Sequence, residues 1–248
     1  MWTKDLTDYT GRLLEVSRFR DYCPNGLQVE GRAETRKLCT GVTASLALLE
    51  EAIASGADTV LVHHGYFWKN EPAPITGSKK ARLALLLKND VNLLAYHLPL
   101  DAHRELGNNA QLAQRLALTV NGWFGDQEIA AWGEPEHPLN LGALAARIED
   151  RLARAPMLIG DPTRSVRRLA WCTGGAQDLL QDAIDVGVDA FITGEVSERT
   201  FHLSRESGVA FLAAGHHATE RYGVQALGRH LAETFGLEHA FIDEDNPA

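Results

Sequence analysis

The sequence predicts an α/β protein made of two related α/β lobes, each built on one copy of a strand-helix-strand unit. Three observations carry that expectation: a weak internal duplication, short apolar runs alternating with helical periodicity, and enough apolar residues for a sizeable core. The 248 residues are 45% apolar and 23% charged, a balance typical of globular chains with one large or two average domains.

The first copy runs from Cys39-Thr40-Gly41 through Leu48-Leu49-Glu50-Glu51-Ala52-Ile53-Ala54-Ser55-Gly56-Ala57-Asp58 to Thr59-Val60-Leu61-Val62. The second runs from Cys172-Thr173-Gly174 through Leu179-Leu180-Gln181-Asp182-Ala183-Ile184-Asp185-Val186-Gly187-Val188-Asp189 to Ala190-Phe191-Ile192-Thr193. In each, an apolar strand meets a Thr-Gly turn and apolar residues then recur three and four apart. A glycine ends that helix and a second apolar strand follows. Such a unit pairs its strands in parallel through a right-handed crossover.

A further strand extends each copy. Residues 91–96 lead into His97-Leu98-Pro99-Leu100-Asp101, and residues 209–215 lead into His216-His217-Ala218-Thr219-Glu220. Pro99 predicts a loop, in which His97 and Asp101 need not face one way. Residues 218–235 read as a helix, and the spacing of four puts His216 and Glu220 on one face of its first turn. Residues 122–138, rich in Gly, Trp and acidic side chains and holding Pro135 and Pro138, form the expected boundary. It separates a first lobe over 1–124, carrying His63, His64 and Asp101, from a second over 125–248, carrying His216 and Glu220, which a predicted helix over 139–154 opens.

Charge and cysteine content weigh against several function classes without excluding nucleic acid. With 24 basic and 33 acidic side chains the net charge is -9, which disfavours a nucleic-acid strand as the main partner. Arg164, Arg167 and Arg168, and Lys79, Lys80 and Arg82, are local basic groups that read as solvated charges. Cys23, Cys39 and Cys172 are odd in number and lack C-x-x-C spacing, so neither a disulfide framework nor a thiolate zinc site is expected and a reducing cytoplasm fits. The amino-terminal residues show no leader pattern, and no window is apolar enough for a membrane span.

The candidate chemistry lies at strand ends, where open parallel sheets place their binding loops. His63-His64 closes the run Thr59-Val60-Leu61-Val62, and Asp101, His216 and Glu220 follow later strands. Imidazoles and carboxylates together bind zinc, iron, manganese or nickel. Each motif also has a plainer reading. Adjacent strand histidines can point to opposite faces, His216 and Glu220 can be a surface pair, and Asp101 can cap the helix over 108–116. Their joint occurrence on corresponding strand ends of a duplicated unit favours a two-metal site. His97 is a ligand, an orienting group or a proton carrier. Glu195 is a general base or a subunit contact. Tyr66, Phe67, Trp68 and Lys69 form either an anion-binding wall or core packing, with packing the safer expectation. The two Thr-Gly pairs are too short for phosphate loops, and His103, His137, His202, His217, His230 and His239 show no informative spacing.

Several separated segments together resemble the NIF-three-like family: Pro24-Asn25-Gly26-Leu27-Gln28-Val29, Gly41-Val42-Thr43-Ala44, His63-His64-Gly65-Tyr66-Phe67-Trp68, His97-Leu98-Pro99-Leu100-Asp101, Gly107-Asn108-Asn109, Thr193-Gly194-Glu195 and Gly215-His216-His217-Ala218-Thr219-Glu220. The resemblance spans essentially the whole chain. It implies a two-lobed α/β fold, a ring-shaped homohexamer, and a pair of divalent metals in each subunit. The ligands it implies are His63, His64, Asp101, His216 and Glu220, with Glu220, or Glu220 and Asp101, bridging. The segment over 122–138 leaves no room for the inserted domain of longer members. The implied function is that of a GTP cyclohydrolase I type 2 homologue, in which metal-activated water attacks a purine nucleotide and His97 or Glu195 shuttles protons. Phosphoester hydrolysis on nucleotides and a non-catalytic metal-binding ring scaffold are the alternatives.

Overall fold

A computed structural model describes residues 1–248. The fold is mixed α/β, and the chain forms two compact units, Met1–Leu100 with Gly223–Asp245 and Asp101–Tyr222 with Asn246–Ala248.

The first unit carries a five-stranded sheet in the order Gly26–Val29, Asn92–Ala95, Thr59–His64, Lys37–Thr43, Glu238–Phe241. The last four strands are parallel, and Gly26–Val29 runs antiparallel at the edge. Val60, Leu61, Val62, Leu93 and Leu94 are all fully buried, as expected of central parallel strands covered on both faces. The crossover helix Leu46–Ala54 starts where the Ser45 hydroxyl accepts the Leu48 N–H at 3.0 Å and ends before Gly56, whose φ is +81°. Its buried Leu48, Leu49 and Ala52 keep the helical spacing read from sequence. Leu48 reaches so close to the strand that a Cβ on Gly41 would lie 2.0 Å from its Cδ1, so a larger residue there would make Leu48 shift.

The second unit holds a six-stranded sheet in the order Leu118–Phe124, Ala130–Pro135, Leu169–Trp171, Ala190–Thr193, Ala210–Ala213, Met157–Ile159. Its central trio is parallel and the flanking strands are antiparallel. Trp171, Phe191, Ile192, Phe211 and Leu212 are fully buried. The predicted helix over 139–154 forms as Leu141–Leu152, with the Asn140 side chain accepting the Ala143 N–H at 2.8 Å.

The duplication is visible bond for bond. In the first copy the Asp58 carboxylate accepts the N–H groups of Arg36 and Lys37 at 2.8 and 2.9 Å. Its backbone N–H donates to Lys37 O, and its carbonyl accepts from Asn92. In the second copy the Asp189 carboxylate accepts the N–H groups of Arg167 and Arg168 at 2.8 and 3.0 Å. There the backbone N–H donates to Arg168 O, and the carbonyl accepts from Ala210. One aspartate per copy thus ties three adjacent strands at their starting ends.

Three local expectations differ from the structure. The lobe change expected at 124/125 falls in the hairpin of Leu118–Phe124 and Ala130–Pro135, because residues 122–138 are mostly paired strand rather than linker. The chain also returns to the first unit, where Glu238–Phe241 pairs with Lys37–Thr43. The loop expected after His97 is instead a short helix, Leu98–Ala102, in which Pro99 sits in the first turn, where a missing N–H costs nothing. The helix expected over 218–235 begins two residues earlier, as His216–Phe235. No helix is long and apolar enough to cross a membrane.

Asp58 is mostly buried and holds two backbone N–H groups and the Arg32 guanidinium. Burial would raise its pKa, but these donors outweigh it and hold the carboxyl below its ordinary 3.8. Asp58→Ala is expected to lower unfolding stability by about 1–3 kcal/mol near neutral pH. The part owed to the lowered pKa is present above 3.8 and lost as pH falls through the folded value. Chemical denaturation of both proteins across that range should therefore show the gap narrowing in acid; a gap that widens there would rule out the charge as its source.

Candidate metal centre

His63 and His64 end the strand Thr59–His64, one fully buried and the other partly exposed. His63 Nδ1 lies 2.9 Å from the Tyr96 carbonyl, which can only accept, so Nδ1 carries the proton and Nε2 is the lone-pair nitrogen. His64 Nδ1 is 3.1 Å from the Thr43 hydroxyl on the neighbouring strand. Gly65 then turns the chain. A Cβ there would meet Gln28 Oε1 at 2.2 Å and Ala95 Cβ at 2.6 Å, because the Gln28 amide accepts from Tyr66 N–H and donates to Tyr66 O.

His97 joins this pair. The three rings have centroids 4.5 to 5.8 Å apart, and each offers a nitrogen within 4.8 Å of the others. His97 Nδ1 donates to Asp21 Oδ1 at 2.7 Å. Burial alone would raise the Asp21 pKa, but the bond and charge of His97 and the donors Asn25 and Tyr22 bring it below the ordinary value. Cys23 lies in the same loop. Burial, and then the negative Asp21, push its thiol up to about 12, and Asp21, Cys23 and His97 form a further group that could hold a metal.

In the second unit, Asp101 lies in the helix Leu98–Ala102 and is 6% exposed. Its Oδ1 accepts from Asn108 Nδ2 at 2.8 Å and from the Thr173 hydroxyl at 3.3 Å. Asp101 thereby fixes the side chain of the first residue of the helix Asn108–Leu116, whose N-cap is Gly107. His216 opens the helix His216–Phe235, with Nε2 3.1 Å from Glu220 Oε2 and Nδ1 2.7 Å from Glu195 Oε1. Burial would lower the His216 pKa, but Glu220 first and Glu195 second outweigh it and push it up to about 9. Glu220 is 3% exposed. Both Asp101 and Glu220 act on the buried Cys172 thiol, whose pKa is raised well above 9.0, first by burial and then by these two charges.

The donor set fits a divalent cation. Neutral imidazoles with Nδ1 anchored and buried carboxylates are hard-to-borderline ligands suited to zinc, iron, manganese and nickel. Gly174 supplies a cradle for one of them: a Cβ there would lie 2.0 Å from Glu220 Oε1 and 3.2 Å from His216 Nε2, at a φ of +71°. The structure therefore groups His, Asp and Glu side chains that could hold a metal.

The remaining expectations divide. Tyr66 is buried, donating to Ala44 O at 2.7 Å, whereas Phe67 is 38% exposed beneath Lys79. Trp68 packs edge-on against His97 with centroids 4.9 Å apart. Arg168 stacks on Trp132 at 3.9 Å and Arg164 donates to the carbonyls of Gly208 and Asp189, so these two are structural rather than solvated charges. Thr43 orients His64 in the first unit, and Thr173 and Gly174 surround Asp101 and Glu220 in the second; the sequence marks these residues through the segment over 41–44 and the Thr-Gly pairs, whereas Asp21 carries no signal there.

The chain is similar to known proteins along its whole length. The family description Duf34/NIF3 (NGG1p interacting factor 3) matches residues 1–247. The chain is 54% identical over 245 residues to a Neisseria meningitidis serogroup B protein named GTP cyclohydrolase 1 type 2 homolog, covering 99% of this chain and 98% of the other. It is 53% identical over 249 residues to the protein of that name from Escherichia coli K12, covering 100% of each. Among solved structures, protein ybgI, described as of unknown function, is similar with a TM-score of 0.96 at 52% identity over 100% of both chains. TTHA1606 from Thermus thermophilus has a TM-score of 0.91 at 35% identity, again over 100% of both. By sequence and by fold, the chain belongs to the Duf34/NIF3 family.

Proposed function

We propose that the protein is a hydrolase dependent on a pair of divalent metal ions, zinc, iron, manganese or nickel, with His63, His64, Asp101, His216 and Glu220 as ligands and a purine nucleotide as substrate. The observation that carries this reading is the anchoring of the rings. His63 donates through Nδ1 to the Tyr96 carbonyl, the arrangement that prepares Nε2 for coordination, and His64 is oriented through Nδ1 by the Thr43 hydroxyl. Two buried carboxylates, Asp101 and Glu220, supply the charge that divalent cations need. The name carried by the relatives, GTP cyclohydrolase 1 type 2 homolog, supports the nucleotide.

Cations held by these side chains supply Lewis acidity and a water that ionises near neutral pH. The chain's own groups handle protons. In a cyclohydrolase reaction one water adds at C8 of the purine and the C8–N9 bond breaks, opening the ring and leaving a formyl group on N7; a second water adds to that formyl carbon and the C8–N7 bond breaks, releasing formate. His97 takes the proton from water at Nε2 and returns it to the departing ring nitrogen. Glu195 orients His216 through Nδ1 and, being 47% exposed, exchanges protons with solvent as a second carrier. The family resemblance extends the proposal to a homohexameric ring, testable by light scattering. Free, buried Cys23, Cys39 and Cys172 suit a reducing cytoplasm.

Protein purified without added metal, then loaded separately with zinc, manganese and iron, is expected to hold a pair of divalent ions per chain by mass spectrometry and to release formate from GTP. Phosphate in place of formate would move the reaction to phosphoester chemistry. A chain that takes up no metal on reconstitution would overturn the reading. Glu220→Gln should lose turnover while keeping its oligomeric state by light scattering. Gly174→Ala should weaken metal binding by about 10–100-fold, since the new Cβ displaces a ligand carboxylate much as loss of an orienting partner does; equilibrium dialysis against a competing chelator reads this, and wild-type affinity would show that the cradle is not needed.

A further inference from the structure

The three clustered histidines of the first unit are held by different chemistry. His63 leans on a backbone carbonyl and His64 on a hydroxyl. His97 is held by a carboxylate, that of Asp21, at 2.7 Å. The Asp21 side chain is only 3% exposed, and His97 is 15% exposed, so this pair is not a solvated surface contact.

Both carboxylate oxygens of Asp21 are filled. Oδ1 accepts from His97 Nδ1 and from Tyr22 N–H at 2.6 Å. Oδ2 accepts from Leu98 N–H at 2.9 Å and from Asn25 Nδ2 at 2.8 Å. Asn25 in turn accepts the backbone N–H of His97 through Oδ1 at 2.7 Å. The ring, the backbone N–H of residue 97 and the N–H that follows are therefore fixed by one short loop. Trp68, edge-on to the ring, limits its remaining rotation.

We propose that Asp21 is a positioning residue of the candidate site: it fixes His97 in the Nδ1–H tautomer and sets its ring plane, so that Nε2 is presented as a proton acceptor beside His63 and His64. An ionised carboxylate can only accept, so the proton must sit on Nδ1. Replacing it with an amide offers Nδ1 a donor as well as an acceptor, and the wrong tautomer then presents an N–H where a lone pair is required. In a catalytic triad the same carboxylate-to-amide change leaves geometry intact and still costs about 10⁴ in kcat. The functional half of the inference rests on His97 acting as the proton carrier proposed above; the positioning half does not.

The test uses full-length, zinc-loaded protein with ¹⁵N-labelled histidine. Wild type is expected to give the Nδ1–H signature at His97, assigned by its loss in His97→Gln, and Asp21→Asn is expected to move that signal toward Nε2–H. Metal content should be unchanged. Formate release from GTP should fall by about 10²–10⁴ in kcat with little change in KM, and Asp21→Glu should recover part of it. The double variant Asp21→Asn/His97→Gln should be no slower than His97→Gln alone. An unaltered His97 tautomer in Asp21→Asn overturns the proposal, whether or not GTP is turned over. A switched tautomer with undiminished turnover overturns it too, and a wild-type protein without turnover would sink the cyclohydrolase reading while the tautomer still decides the role of Asp21. Should Asp21→Asn fail to fold by near-ultraviolet circular dichroism, Asp21→Ala, which removes the accepting carboxylate at Nδ1, carries the tautomer test: the Nδ1–H preference of His97 is expected to be lost, and its persistence overturns the proposal.

Discussion

Strand register in each unit is pinned at one end by an aspartate, and the chemistry at the other end depends on it. Asp58 gathers the N–H groups of Arg36 and Lys37, and Asp189 those of Arg167 and Arg168. Side chains alternate along a strand, so a slip of one residue would exchange the faces of its whole set. For the strand Thr59–His64 that exchange would bring His63 out of its fully buried place and off the Tyr96 carbonyl. The polar clamp at the start of the strand and the imidazole anchors at its end are thus parts of one constraint.

The histidines differ in the partner that orients each ring. A carbonyl or hydroxyl partner orients a ring without adding charge, which suits a ring that meets a cation. A carboxylate partner adds charge as well as direction, and the structure uses it for His97 through Asp21 and for His216 through Glu195. His216 is the special case, because a second carboxylate, Glu220, meets its other nitrogen. Its pKa of about 9 describes an imidazolium standing between two acids, where a cation would satisfy the same negative charges.

Much of the fold was legible because periodicity and turn chemistry act locally. The helix Asn108–Leu116, the crossover helices and the parallel trios all follow from apolar spacing and from the glycines that stop helices. The pairing of Glu238–Phe241 with Lys37–Thr43 was not legible, since nothing in a short, partly apolar terminal strand says which edge it joins. Nor was the helical form of Leu98–Ala102, where the proline rule for helix interiors does not reach the first turn. The ligand candidates stood out because histidine and carboxylate at strand ends are conspicuous by type. Asp21 did not, because its importance lies in a contact with a residue 76 positions away, and a lone aspartate in a loop has many ordinary uses.

The duplication explains how one scaffold came to hold unlike ends. In register, Val62 pairs with Ala95 and Thr193 with Ala213. His63 and Gly194 therefore occupy equivalent places, as do His64 and Glu195. A Cβ on Gly194 would lie 2.6 Å from both Gly174 O and His216 Cα, so the second copy cannot carry a histidine there while the helix His216–Phe235 begins so close. The same register offsets the two histidine-carboxylate segments: His97 comes two residues after Ala95 (97 − 95 = 2), and His216 three after Ala213 (216 − 213 = 3). That added residue lets Gly215 turn at a φ of +96° and lets His216 open a helix, one turn before Glu220. The Thr-Gly pair diverges in parallel: Gly41 makes room for Leu48 in a hydrophobic contact, while Gly174 makes room for Glu220. A small residue kept for packing in one copy has become, in the other, the space in which a carboxylate can be buried beside an imidazole.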